Sequence, residues 1–444
     1  MAQMLLDNWL AQRAETCPDR AALIAEGIEL SYGELEREAE AAARRLAAKG
    51  ARRGATVGLE LEPGVDYVVL LHALMKLGAI VYPVNTRLTE AERTVELDRA
   101  EPALVVGDTG GLGLTEADLP LLGEHDLNAL HCRILTSGTS GHPRAVELTY
   151  GNHLWSAVGS AFNLGMEPTD RWLCCLPLYH VGGLSIVMRS VIYGTTVVIH
   201  DGFDVDRIAA SLEGDGVTLV SLVATQLTRL LEADVDLLPL RAALIGGGPV
   251  PDEVLAEALG RGATVVQTYG LTEAASQVTT LAPGDAERKL GSAGRALLTT
   301  HLRIQDGEIL VQGPTVAPGV SDEDGWLHTG DLGWIDDEGF LYVQDRLGDV
   351  IVSGGENVLP AEVEEVLLQH PHVADAAAVG RADSEWQEAV TAVVVLEAGA
   401  EVSPEELRRH CAETLAGYKV PKRFEFVAEL PRTEAGKLAR GALR

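Results

Sequence analysis

Residues 134–146 read Ile134-Leu135-Thr136-Ser137-Gly138-Thr139-Ser140-Gly141-His142-Pro143-Arg144-Ala145-Val146. Hydroxyl side chains and glycines alternate, and a proline and a cation follow. Glycine lets a backbone turn sharply and approach a ligand closely. Successive free N–H groups in such a turn form an anion-binding concavity. The hydroxyls of Thr136, Ser137, Thr139 and Ser140 add rotatable donors, and Arg144 adds a fixed positive charge. The stretch predicts a phosphate-gripping loop. It is not a Walker A loop, which needs Lys-Ser/Thr directly after its second glycine; here Gly141 is followed by His142 and Pro143. A flexible Ser/Thr/Gly linker is the alternative. The flanks oppose it. His131–Leu135 is short and mostly apolar and Val146–Thr149 alternates, so both sides read as strands.

Working outward, residues 3–16 read as an amphipathic helix with Leu6, Trp9 and Leu10 at helical spacing. Ala21–Ala25 and Ile28–Leu30 form a hairpin about Gly27. Ser31 and Glu34 form a capping box for a helix reaching Lys49. Thr56–Leu61 is a strand, Val65–Leu77 a helix stopped by Gly78, and Ala79–Pro83 a strand. Leu104–Val106 is a strand beside an acidic loop. Tyr150–Leu164 is helical. Arg171–Leu176, Thr196–Ile199, Thr218–Val223, Ala242–Ile245 and Ala263–Tyr269 are buried strands. Ile186–Ile192 is apolar apart from Arg189 and Ser190, and His180 is placed at the end of a buried strand. This alternation predicts an α/β fold with doubly wound sheets. Residues 301–345 change to short strands and turns, a small β-rich subdomain. The pattern restarts beyond Asp345 as a small α+β unit, with a helix opened by Pro360, strands at 373–379 and 389–396, and a helix at 404–416. The expected division is 1–345, a hinge at 346–349 containing Gly348, and a mobile C-terminal domain at 350–444.

The 444 residues suffice for two or three domains. A net charge of −31 leaves no basic surplus to displace counterions, so no nucleic-acid partner is expected, nor an anionic membrane surface. An anionic substrate needs a local cationic site. The five cysteines are odd in number and hold no CxxC pair, so neither a disulfide framework nor a zinc site follows; a reducing cytoplasm fits. The first residues lack a cationic n-region and no apolar run reaches about 18 residues, so neither a signal peptide nor membrane insertion is expected. Composition leaves the oligomeric state open, a homodimer included.

The loop Thr136–Arg144 resembles the phosphate loop of the adenylate-forming acyl-CoA synthetases, whose members include luciferases and nonribosomal-peptide adenylation domains. Further motifs of that family follow in order. They are Leu176-Pro177-Leu178-Tyr179-His180, Gln267-Thr268-Tyr269-Gly270-Leu271-Thr272-Glu273, Thr329-Gly330-Asp331, Gly354-Gly355-Glu356-Asn357 and Pro431-Arg432-Thr433-Glu434-Ala435-Gly436-Lys437. The resemblance covers nearly the whole chain. It implies that a carboxylate attacks the α-phosphorus of ATP, with Mg2+, and that CoA then takes the acyl group.

The same resemblance implies the roles. Thr136, Ser137, Gly138, Thr139, Ser140, Gly141 and Arg144 grip phosphates. Gly246, Gly247 and Gly248 form one wall of the adenine slot, Tyr269 the stacking face, with Thr268 and Gly270 flanking it. Asp331 and Arg346 reach the ribose. Thr272 donates to the α-phosphate and Glu273 holds the metal. Lys437 bridges carboxylate and phosphate, His180 gates the acid pocket, and Gly354 and Gly355 shape the CoA tunnel. Taken singly, Lys437 would be read as a surface lysine, and Asp331 and Arg346 as a surface ion pair. The chain departs from the family pattern at Arg144 and Ala145, where lysine and glycine are usual, and at Gly348, where a polar hinge residue is usual.

Two longer runs, Tyr150–Ala161 with Asn163-Leu164-Gly165 and His180–Gly194, resemble the branch of that family that acts on 2-succinylbenzoate in menaquinone biosynthesis. That acid is a dianion. An arginine in an apolar segment is costly unless paired, and Arg189 is expected to pair with the benzoate; a protein carboxylate is the alternative partner. Other aryl or fatty acids, and a nucleotide-binding relative without turnover, stand as the rival readings.

Overall fold

Tyr67–Leu77 is buried throughout within the helix Val65–Leu77. A helix buried on all sides must lie between layers; this one packs on the helix Tyr32–Ala48 and on the strands Thr56–Leu59 and Ile80–Pro83. Each fully buried large side chain contributes about 1.5–3 kcal/mol, so the segment anchors the core. The Tyr32–Ala48 helix starts where Ser31 accepts from Glu34 N–H and Glu34 returns the bond. The computed structural model describes residues 3–107, 109–136, 144–248, 250, 252–346, 350–431 and 440–443.

A nine-stranded sheet runs in the order Arg295–Ala296, Ser276–Thr280, Val265–Leu271, Ala242–Ile245, Leu219–Leu222, Arg171–Cys174, Thr196–Ile199, Ala21–Ala25 and Ile28–Ser31. Its central pairings are parallel and its edges antiparallel. A five-stranded sheet orders Leu104–Val106, Thr56–Leu59, Ile80–Pro83, Leu130–Thr136 and Arg144–Thr149. A four-stranded sheet, His301–Gln305, Glu308–Gln312, Leu327–Ile335 and Leu341–Arg346, forms the β-rich subdomain. This is the α/β architecture expected from the chain's alternating pattern.

By internal contacts the chain forms two units. One comprises Met1–Thr86, Ala100–Ile134 and Ala145–Asp345; the other comprises Arg87–Arg99, Leu135–Arg144 and Arg346–Arg444. The second unit is built on a five-stranded sheet in which Val373–Asp383 and Gln387–Leu396 pair antiparallel and Arg423–Phe426 adds in parallel. Its helix Pro360–Leu368 buries Val363, Val366 and Leu367. Within this unit Lys419 Nζ sits 3.0 Å from Glu92 and 3.3 Å from Glu362. Thr89 Oγ1 donates to Thr414 O at 2.7 Å.

Two local expectations are corrected. Residues 3–16 are not one helix: Leu5–Asp7 is a strand paired with Glu124–Asp126, and Asn8 caps a helix over Trp9–Thr16 by accepting from Ala11 N–H at 3.2 Å. His180 does not end a strand. The strand stops at Cys174, and His180 is the N-cap residue of the helix Val181–Tyr193. Arg189 therefore lies in a helix. The segment Glu90–Ala100, which carries no apolar stripe, is helical and buries none of its residues. No helix among the described residues is long and apolar enough to cross a membrane.

Candidate active site

The hairpin of Val265–Leu271 and Ser276–Thr280 makes the frame of the site. Its register shifts between Tyr269 and Gly270. A Cβ at Gly270 would lie 1.6 Å from Ser276 O, so only glycine allows the two strands to close there. The strands are joined by a tight turn, Thr272–Ala274, followed by left-handed residues Ala275 (φ 52°) and Ser276 (φ 94°). Glu273 is fixed by its main chain, whose carbonyl accepts from Ala317 N–H at 2.8 Å. Neither the Thr272 hydroxyl nor the Glu273 carboxylate has a hydrogen-bond or ion-pair partner among the described residues. A half-buried carboxylate held by its backbone and left unpaired fits a magnesium ligand, since that ion takes one or two carboxylates together with phosphate oxygens.

Tyr269 and Asp331 come together: the Tyr269 hydroxyl donates to Asp331 Oδ2 at 2.8 Å. Asp331 is 5 % exposed. Thr268 is different, because its hydroxyl donates to Thr279 O at 2.9 Å and lies 2.8 Å from Thr280 Oγ1. That side chain is committed to the sheet. Gly246 and Gly247 follow the strand Ala242–Ile245, and Gly247 has φ 81°. A Cβ on Gly246 would come within 2.8 Å of Thr268 Cγ2. The close approach at Gly246 is thus made by the neighbouring strand.

Gly183 lets the first turn of the Val181–Tyr193 helix sit on the preceding segment, since a Cβ there would be 2.3 Å from Pro177 O. Four helical positions after Ser185 comes Arg189, 3 % exposed. Its Nη2 donates to Ser156 Oγ at 3.3 Å, and its guanidinium stands 5.6 Å from the centre of Trp172. Its Nε has no partner among the described residues. Among the described residues no carboxylate lies within ion-pair distance of it. Burial lowers its pKa, with Tyr193 opposing, yet a guanidinium stays charged. Ser156 passes the contact on by donating to Ala275 O at 2.7 Å. A chain of two hydrogen bonds therefore links the buried cation to the turn that carries Glu273.

The AMP-binding enzyme family matches residues 10–320, and the AMP-binding enzyme C-terminal domain matches residues 362–437. The chain belongs to the AMP-binding enzyme family. It is 41% identical, over 477 aligned positions covering 99% of this chain and 98% of the other, to a 2-succinylbenzoate–CoA ligase of Bacillus cereus. It is 42% identical to one of Bacillus licheniformis, covering 99% and 100%. Among solved structures it is similar to a double mutant of the o-succinylbenzoate CoA synthetase of Bacillus subtilis bound to a product analogue, with TM-score 0.95, 39% identity and 99% of both chains covered. The same synthetase in complex with ATP and magnesium ion gives TM-score 0.76, 39% identity, and coverage of 99% and 100%.

In this AMP-binding enzyme, Ser137, Gly138, Thr139, Ser140, Gly141, Gly348 and Lys437 lie outside the described residues, as does the side chain of Arg346. Thr136 Oγ1 donates to Arg144 O at 3.3 Å across the two ends of the loop. Gly354 (φ 60°) and Gly355 (φ 83°) turn the chain between Ile351–Ser353 and Glu356–Val358, and Gly354 N–H donates to Trp386 O at 2.8 Å. One cluster had no signal in residue spacing. His131 Nδ1 and His153 Nε2 are 3.0 Å apart, and Cys132 Sγ is 3.5 Å from the same His153 nitrogen. These distances fit hydrogen bonds, and burial lowers the pKa of both imidazoles. A strand and a helix bring the three together, so no CxxC-type pattern could announce them.

Proposed function

We propose that this AMP-binding enzyme is a cytoplasmic 2-succinylbenzoate–CoA ligase of menaquinone biosynthesis. It joins 2-succinylbenzoate to the α-phosphate of ATP, releasing pyrophosphate, and then passes the acyl group to CoA, giving 2-succinylbenzoyl-CoA and AMP. The observation that carries the reading is Arg189, a buried cation with no carboxylate beside it among the described residues. A dicarboxylic acid brings the missing anion on a group that does not react. The bidentate fit of guanidinium to carboxylate gives orientation as well as charge, and the names of relatives 41% and 42% identical point to the same acid.

In this reading the Thr136–Arg144 loop holds the β- and γ-phosphates, Tyr269 with Gly246–Gly248 takes the adenine, and Asp331 with Arg346 takes the ribose. Thr272 donates to the α-phosphate, and Glu273 is the residue that would hold magnesium. When bound, that ion offsets the negative charge of the phosphate oxygens. Both reactants are anions, so a cation is needed where charge builds up; Lys437 supplies it during adenylation. His180 guards the entrance to the acid pocket. For the second half-reaction the C-terminal domain turns about 346–349, withdrawing Lys437 and presenting the Gly354–Gly355 loop to CoA. Gly348 leaves that rotation free.

The test is CoA-ester formation over a panel of mono- and dicarboxylic acids, with wild type and Arg189→Ala. The expected result is a preference for 2-succinylbenzoate that the substitution selectively abolishes. A monocarboxylic preference untouched by the substitution would assign a different acyl-CoA ligase activity. Absence of ATP–pyrophosphate exchange with every acid would leave only nucleotide binding.

A further inference from the structure

The strand Leu327–Ile335 is interrupted where it matters. Glu308 pairs with Leu332 and Leu310 pairs with His328, so Thr329, Gly330 and Asp331 together face the single residue Ile309. Such a bulge re-aims a side chain but leaves backbone groups without ladder partners. Two side chains replace the lost ladder bonds. Thr329 Oγ1 donates to Ile309 O at 2.7 Å and accepts from Asp331 N–H at 3.1 Å. Glu308 Oε1 accepts from Gly330 N–H at 2.9 Å. Gly330 has φ 71°, so the turn depends on these bonds to keep a conformation that glycine leaves otherwise free.

The other oxygen of Glu308 is also engaged: His328 Nδ1 lies 2.9 Å from Oε2, and His328 Nε2 lies 3.3 Å from Asp322 Oδ2. Glu308 raises the pKa of the imidazole, and Asp322 adds to the effect. Asp322 is in turn fixed, with Oδ1 accepting from Trp326 N–H at 2.8 Å and from Asp324 N–H at 3.0 Å. The order runs from a pinned Asp322 through His328 and Glu308 to the amide of the residue before Asp331. Asp331 itself is buried and accepts from Tyr269.

We propose that Glu308 is a positioning residue for nucleotide binding: oriented by His328, it pins the Gly330 amide and so fixes the Asp331 carboxylate where the two ribose hydroxyls meet it. This rests on the reading of Asp331 as the ribose acceptor. The Glu308 carboxylate touches no substrate and acts through the bulge. Loss of Glu308 leaves Gly330 N–H without its acceptor and lets the turn spread.

The experiment measures ATP KM, acid KM and kcat by pyrophosphate exchange for Glu308→Ala, Glu308→Gln, His328→Ala and Asp331→Asn, each first checked for wild-type thermal unfolding. Glu308→Ala is expected to raise ATP KM about tenfold, the worth of one hydrogen bond to a charged group, with acid KM unchanged and kcat within about twofold. Glu308→Gln keeps an amide oxygen for Gly330 and is expected to rescue ATP KM to near wild type. Asp331→Asn, unchanged in ATP KM, would remove the ribose reading. Asp331→Asn impaired while Glu308→Ala binds ATP normally would overturn the positioning role alone. If Glu308→Ala does not fold, His328→Ala decides: it is expected to raise ATP KM about threefold, and an unchanged value overturns the proposal.

Discussion

Replacing Arg189 with Met separates what the side chain does for the fold from what it does for the substrate. Even after relaxation, a buried ion costs several kcal/mol of desolvation. Arg189 recovers part of this through one long hydrogen bond of 3.3 Å to Ser156 and a ring contact at 5.6 Å to Trp172. Together these return about 1–2 kcal/mol. No ion pair among the described residues supplies the rest. The free protein therefore carries a net strain of about 1–3 kcal/mol at this position. Methionine is unbranched and adaptable, so it fills the space of the alkyl stem without a charge. Ser156 keeps its bond to Ala275 O. The variant is expected to be more stable than wild type by about 1–3 kcal/mol in denaturant unfolding. Its KM for the dicarboxylic acid is expected to rise about 30- to 1000-fold, the loss of a buried charge pair worth about 2–4 kcal/mol. ATP binding is expected to be spared. A variant that is less stable than wild type and still prefers the dicarboxylic acid would refute the reasoning, because Arg189 would then be a structural residue satisfied by the protein.

Lys437→Ala is expected to lower adenylation about a hundredfold or more while supplied acyl-adenylate still reacts with CoA; equal loss of both half-reactions in separate assays would sink the two-conformer account. Gly270→Ala would place a methyl group 1.6 Å from Ser276 O; the hairpin must open, with an expected cost of about 3 kcal/mol or more and loss of pyrophosphate exchange. His72, His125 and His153 have pKa values pushed down to about 3 by burial. The unfolded chain takes up these protons near pH 6.5 while the folded chain does not, so stability is full above that pH and falls as pH drops toward 3. Between pH 6.5 and 5 each should cost about 2 kcal/mol, and a denaturant midpoint flat across that range would refute the assignment.

The parts of the fold that were legible are those where a local signal acts alone. The box of Ser31 and Glu34, the Gly78 stop and the mostly apolar run before it set elements without help from distant residues. Where tertiary contacts decide, reading failed. Leu5 and Leu6 have helical spacing with Trp9, yet they pair with Glu124–Asp126, and Asn8 restarts the chain as a helix. The segment after Gly182 is mostly apolar and buried on nearly every side, and periodicity cannot tell a buried helix from a buried strand there. Glu90–Ala100 has no buried face to mark its period.

The candidate site divides along the same line. The family resemblance implied that Tyr269, Thr272, Glu273 and Asp331 share one site; the structure joins Tyr269 to Asp331, and Glu273 has no side-chain partner among the described residues. The resemblance could not show that the Thr268 hydroxyl is spent on Thr279 and Thr280, because a hydroxyl's partner is a fact of register. Nor could it show whether Arg189 had a carboxylate nearby, and on that one absence the choice of acid turns. A charged residue in an apolar run says only that a partner must exist. The described protein offers none, so in the proposed reading the partner is the ligand, and the neighbouring Ser156–Ala275 bond would tie recognition of the remote carboxylate to the turn that holds Thr272 and Glu273. A monocarboxylic acid would leave the guanidinium uncompensated in the bound state as well, so selectivity follows from a penalty on the wrong acid as much as from attraction to the right one.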